Sequence, residues 1–103
     1  MTYSLNTIVL EPLSKNKAKN AVILCHGYGG DGKDISILAN YWRTYLPDTI
    51  FVCPDAPEKC AASPTGFQWF DLIDVAPEQV LAKSLVAENK LNKLIDEVKE
   101  KNN

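Results

Sequence analysis

Two hydrophobic periods alternate along this chain of 103 residues. Residues 3–10 alternate loosely and hold Thr7, Ile8 and Val9, the pattern of a strand. A polar turn over residues 14–20 leads into Ala21-Val22-Ile23-Leu24-Cys25, an unbroken apolar run of the type buried on both faces of a parallel sheet. Ile35, Leu38, Ala39, Trp42 and Leu46 then fall at helical spacing, with Asp34 placed to cap the start and Pro47 to stop the end. Residues 49–53 form the next apolar run, so 21–53 reads as one β-α-β unit with a right-handed crossover. Residues 54–74 contain three of the six prolines and little periodicity, which predicts an extended loop. Pro77 opens a last helix with Leu81, Leu85, Leu91, Leu94, Ile95 and Val98 as its apolar face. No repeat or internal boundary interrupts this order, so residues 1–103 read as one domain at most.

Composition narrows the picture without choosing a function. With 46% hydrophobic and 23% charged residues, the chain matches an ordinary soluble globular domain. A net charge of −2 gives no reason to expect nucleic acid or an anionic membrane as partner. Lys15, Lys17 and Lys19, interleaved with Asn16 and Asn20, read as a solvated loop. Residues 1–10 lack the basic start and long apolar stretch of a targeting segment, and the longest apolar run is far short of a membrane span. The expectation is a cytoplasmic protein. Three cysteines, Cys25, Cys53 and Cys60, show no C-x-x-C spacing, and Cys25 and Cys53 close apolar runs as small buried thiols would. His26 is the single histidine, so no metal site is expected.

Candidate chemistry concentrates in the loop that follows Cys25, where a strand meets a glycine-rich turn and then a helix. Three loop types overlap on it. Gly27, Gly29 and Gly32 fit G-x-G-x-x-G, the turn of a dinucleotide-binding fold, and Asp55 lies at a suitable distance for a ribose. Gly27, Gly32 and Lys33 fit most of G-x-x-x-x-G-K-[ST]. However, Asp34 replaces the hydroxyl and Asp31 adds a second anion to a loop meant for phosphate. An oxyanion loop begins with His-Gly directly after its strand, as His26-Gly27 does here. A bulky imidazole has no place at the start of a dinucleotide turn, whereas an oxyanion loop can use it to brace its own backbone.

The run AVILCHGYGGDGKD (residues 21–34) resembles the opening of the phospholipase/carboxylesterase family, small α/β-hydrolases that include the acyl-protein thioesterases. FVCPDAPE (residues 51–58) is similar to that family's second core strand and the turn after it, and GFQWFDL (residues 66–72) to its Trp-Phe-Asp motif. The resemblance implies an α/β fold class: the N-terminal portion of an α/β-hydrolase, with a three-strand partial sheet and two main helices, truncated before the nucleophile strand. It implies a serine hydrolase of carboxylesterase, thioesterase or lysophospholipase type, without metal or cofactor.

Carried onto this chain, the resemblance gives the backbone N–H of Tyr28 as an oxyanion donor, with His26, Gly27, Gly29 and Gly30 forming its loop. Trp69 and Phe70 would flank the acyl or leaving-group pocket, Asp71 would lie near them, and residues 54–58 would shape the adjoining loop. Each role has a plainer rival. His26 reads as a brace rather than an acid–base group, Trp69 and Phe70 equally as core, and Asp71 as a turn or cap carboxylate. None of Ser4, Ser14, Ser36, Ser63 and Ser84 lies in G-x-S-x-G, and His26 precedes any place such an elbow could occupy. The expectation is a chain without hydrolytic activity by itself. Small acyl esters or thioesters would be its substrates once a C-terminal half completes it. A non-catalytic binding module or half-domain is the alternative, and a dinucleotide-binding half-domain using Gly27, Gly29 and Gly32 the second.

Overall fold

The computed structural model of the protein describes residues 3–73 and 75–102. Its centre is β3 (Thr49–Pro54), whose six residues are all buried. β1 (Thr7–Leu10) pairs with it antiparallel, Leu10 opposite Phe51, and β2 (Asn20–Ile23) pairs parallel, Val22 opposite Phe51. The strand order is therefore β1-β3-β2, with β2 at an edge. Strand side chains alternate between faces, so β3 feeds two cores. Ile50 and Val52 join Leu5 with Leu94 and Val98 of α2 (Pro77–Lys101) on one face. Phe51 and Cys53 meet Ala39 of α1 (Gly32–Trp42) on the other, with Leu10, Val22, Leu24 and Ile35 around them.

The parallel β2-α1-β3 unit and the closing helix follow the hydrophobic pattern, but several expectations need correction. The apolar run of residues 21–25 is not buried on both faces. Its strand stops at Ile23, Ala21 and Cys25 are exposed, and Val22 and Ile23 are half-buried, because only its β3 side is paired. Asp34 does not cap α1. Asp31 does, with an extended backbone (φ −155°, ψ 172°) and a carboxylate that accepts the Asp34 N–H at 2.7 Å. The helix so starts at Gly32 and ends at Trp42, leaving Leu46 exposed beyond it. The first strand is likewise shorter than its sequence pattern, beginning at Thr7.

Residues 54–74 are not a structureless loop. They contain a small antiparallel hairpin of β4 (Glu58–Lys59) and β5 (Phe67–Gln68), with Glu58 opposite Gln68. Asp74, which the loop reading included, lies outside the described residues. Buried Gln68 holds the hairpin together: its Nε2 donates to Glu58 Oε1 at 3.0 Å and its Oε1 accepts the Ala61 N–H at 3.3 Å. Along α2 the apolar face divides. Ala87, Leu94 and Val98 are buried, whereas Leu81 and Leu85 are 65% and 51% exposed. Among the described residues no helix is long and apolar enough to cross a membrane.

The cap assignment gives a direct test. Asp31→Ala removes the carboxylate that satisfies an orphan N–H, and should lower stability by about 1 kcal/mol. Asp34→Ala removes only a favourable charge near the helix start, about 0.3–0.5 kcal/mol. Urea unfolding of the two variants side by side checks the order, and the reverse order contradicts the cap.

Candidate active site

His26 leaves the end of β2 and turns inward, 5% exposed. Its Nε2 accepts the Ala56 N–H at 2.9 Å, and its Nδ1 lies 2.7 Å from the Gly27 carbonyl oxygen. An amide N–H can only donate and a carbonyl can only accept, so the ring is the neutral tautomer with its proton on Nδ1. Both nitrogens are thereby occupied. Trp69 covers the ring, with centroids 5.5 Å apart and planes at 30°, and its Nε1 donates to the His26 carbonyl at 2.9 Å. Trp69 also packs against the Leu5–Leu94 core, which ties the loop to α2.

The backbone beyond His26 is fixed from its far side. The Gly29 N–H donates to the Phe67 carbonyl at 2.9 Å, the Phe67 N–H donates to the Gly30 carbonyl at 2.9 Å, and the Gly30 N–H closes on the Gly27 carbonyl at 3.0 Å. Gly29 has φ +83°, a conformation in which a side chain is strained. The N–H groups of Gly27 and Tyr28 find no acceptor among the described residues. The space beside Gly27 is open, with no atom near where a Cβ would stand. A loop pinned at four points thus presents unspent donors at its tip.

The Tyr28 phenol leans back over the hairpin. Loss of hydration, then the Cys60 thiol and the Asp71 carboxylate, raise its pKa above that of an ordinary tyrosine. Asp71 itself makes an Asx turn, its Oδ1 accepting the Ile73 N–H at 3.0 Å. Phe70 is half-buried beside Trp69 in the chain. Trp69, with Cys25, Ser84, Ala87, Glu88 and Leu91, lines an open groove of about 280 Å³. The structure therefore brings His26, Gly27, Tyr28, Gly29, Gly30 and Trp69 into one assembly, and Asp71 to the Tyr28 ring.

Neither Cys25 nor Cys53 offers an activated nucleophile. Burial, with a smaller contribution from Cys25, pushes the Cys53 thiol up to about 11, and desolvation raises Cys25 as well. Attack requires the thiolate, which such shifts suppress. Cys25 is exposed, not buried as its apolar run suggests, because it lies past the end of β2. Among the described residues no three His, Cys, Asp or Glu side chains are grouped to hold a metal.

The dinucleotide alternative fails on its own residues. Asp55, at the ribose distance in sequence, spends Oδ1 on the Gly32 N–H at 2.8 Å. Asp31 already occupies the helix start where a pyrophosphate would sit. Gly32 is needed for another reason: a Cβ there would run into the Cys53 carbonyl. Ala56, Gly66 and Phe67 lie within the segments that carry the resemblance, but their individual contacts with the loop are not legible there. Ala56 and Phe67 act through backbone atoms, which residue type does not advertise. Gly66 is visible only as an isolated glycine before the Trp-Phe motif.

Removing the pin has a defined consequence. His26→Ala strands the Ala56 N–H in a buried site and empties a ring-sized space, a loss of about 2–4 kcal/mol. Urea unfolding followed by tryptophan emission measures it, and a loss below about 0.5 kcal/mol contradicts the bracing role.

The chain is similar to known proteins in family and fold. The phospholipase/carboxylesterase family model matches residues 8–102. The crystal structure of esterase PE8 superposes with a TM-score of 0.85 at 36% sequence identity, over 95% of this chain and 46% of that one. This chain thus spans about half the length of that esterase, and its architecture is a partial α/β-hydrolase fold. The chain belongs to the phospholipase/carboxylesterase family.

Proposed function

We propose that these residues form the oxyanion-loop portion of a serine hydrolase of carboxylic esters or thioesters, completed by a segment that carries the nucleophile. The observation that supports it is the Tyr28 N–H, left without an acceptor, as is that of Gly27, on a loop whose next two amides, Gly29 and Gly30, are engaged. In this reading a serine oxygen attacks the acyl carbon, and the carbonyl electron pair moves onto its oxygen. That oxyanion accepts from Tyr28 and from the N–H that follows the serine. Collapse of the intermediate expels the alcohol or thiol and leaves an acyl-serine, which water then hydrolyses.

His26 has no part in the proton transfers, since both ring nitrogens are committed to the backbone. The base belongs to the completing segment, as does the acid that orients it. Trp69 and Phe70 wall the acyl or leaving-group side, with Asp71 acting through the turn that holds the Tyr28 phenol. The exposed outer edge of β2 supports the half-domain character. A strand edge with unpaired N–H and C=O groups calls for a partner strand, and in the resembled family the nucleophile strand takes that position.

Hydrolysis of p-nitrophenyl butyrate tests the reading. The 103-residue chain should show no turnover above a denatured control. Mixing or joining it with a segment carrying G-x-S-x-G followed by Asp and His should give turnover that a serine-directed phosphonate abolishes. Phosphonate-sensitive turnover by the chain alone, or none after completion, contradicts the proposal.

A further inference from the structure

Gly66 meets the loop where no side chain fits. A Cβ built on it would fall on the Gly29 carbonyl oxygen and stand 2.5 Å from the carbonyl carbon, both of them backbone atoms that cannot rotate away. The two chains are locked on either side of this contact by the Gly29 N–H to Phe67 carbonyl bond and the Phe67 N–H to Gly30 carbonyl bond, each 2.9 Å. Gly66 is in turn held within its own turn. Its N–H donates to the Ser63 carbonyl at 3.2 Å, and its carbonyl accepts the Cys60 N–H at 3.0 Å. A Cβ on Gly29 would sit 3.6 Å from the Ser63 Cβ, so the same turn also limits the other side.

We infer that Gly66 is a positioning residue, and that the turn of residues 60–67 is the mould that shapes the oxyanion loop. The physical argument is one of allocation. The loop has consecutive amides at residues 27–30, and any of them could turn outward. The Phe67 carbonyl takes Gly29, the Gly27 carbonyl takes Gly30, and the positive φ of Gly29 reverses the chain between them. The donors left unspent are thereby confined to Gly27 and Tyr28, of which Tyr28 is the oxyanion donor in the esterase reading. The close approach of Gly66 to Gly29 sets the distance at which this allocation works. The structural part stands by itself, and its catalytic consequence rests on the esterase reading above.

Amide exchange on the ¹⁵N-labelled chain tests the mould without requiring activity. In the native chain Gly29 and Phe67 should be protected and open with one common free energy, while Tyr28 exchanges freely. Gly66→Ala should speed exchange at Gly29 and Phe67 about tenfold or more, and shift the Tyr28 amide resonance, with Phe51 and Val52 in β3 unchanged. In the completed esterase the same variant should lower kcat about 10- to 100-fold with KM unchanged, since only the position of a transition-state donor is altered. Independent opening of Gly29 and Phe67 in the native chain overturns the inference, even if the variant fails to fold. So does full protection of both amides in Gly66→Ala, or a loss carried by KM. Absence of hydrolysis from the completed protein counts against the esterase reading, and the exchange data still decide the mould.

Discussion

One imidazole with both nitrogens occupied holds this half-domain in order. His26 accepts from Ala56, just past the end of β3, and donates to Gly27, the residue after itself. The first bond ties the end of β2 to the segment leaving the central strand. The second bends the chain at the point where the loop begins. Trp69 closes the arrangement from a third direction by stacking on the ring and capping the His26 carbonyl. Buried hydrogen bonds of this kind are modest in net gain and expensive to break, because a stranded amide recovers nothing from water. A single side chain thus links two strands, the loop and the Trp-Phe segment.

The loop's rigidity serves its chemistry in this account. A donor that stabilises developing charge contributes most when it is aimed beforehand and need not reorganise during the reaction. Here that aim is achieved by subtraction. The amides of Gly29 and Gly30, which follow Tyr28, are consumed by carbonyls of the hairpin and loop, and those of Gly27 and Tyr28 remain. The carboxylates in the neighbourhood are likewise committed, Asp31 to the start of α1 and Asp55 to Gly32. Neither is available to oppose a negative charge by turning freely toward it.

Much of the framework is legible in the sequence because apolar runs and helical spacing report burial. The parallel unit around β3, the long α2 and the position of the loop all follow from them. What the pattern misreads has physical causes. Asp31 and Asp34 are equally good cap residues by type, and only the extended backbone at Asp31 separates them. Two-residue strands such as β4 and β5 are too short to carry a period. An apolar run at a sheet edge looks like one in the middle, so the exposure of Ala21 and Cys25 is not visible in composition. The spacing from Gly32 to Asp55 fits a ribose contact and is in fact a backbone tether. Residue type marks His26 and the glycines as unusual. The amide and carbonyl partners that give them their places leave no mark at all.

The tautomer of His26 is the most direct test of the central claim. Long-range ¹H–¹⁵N correlation of the imidazole at neutral pH separates a protonated from an unprotonated ring nitrogen. The account predicts a proton fixed on Nδ1, an unprotonated Nε2 and a strongly protected Ala56 amide. A ring protonated on Nε2, or an Ala56 amide that exchanges as freely as an open loop, would show that the loop is held by something else.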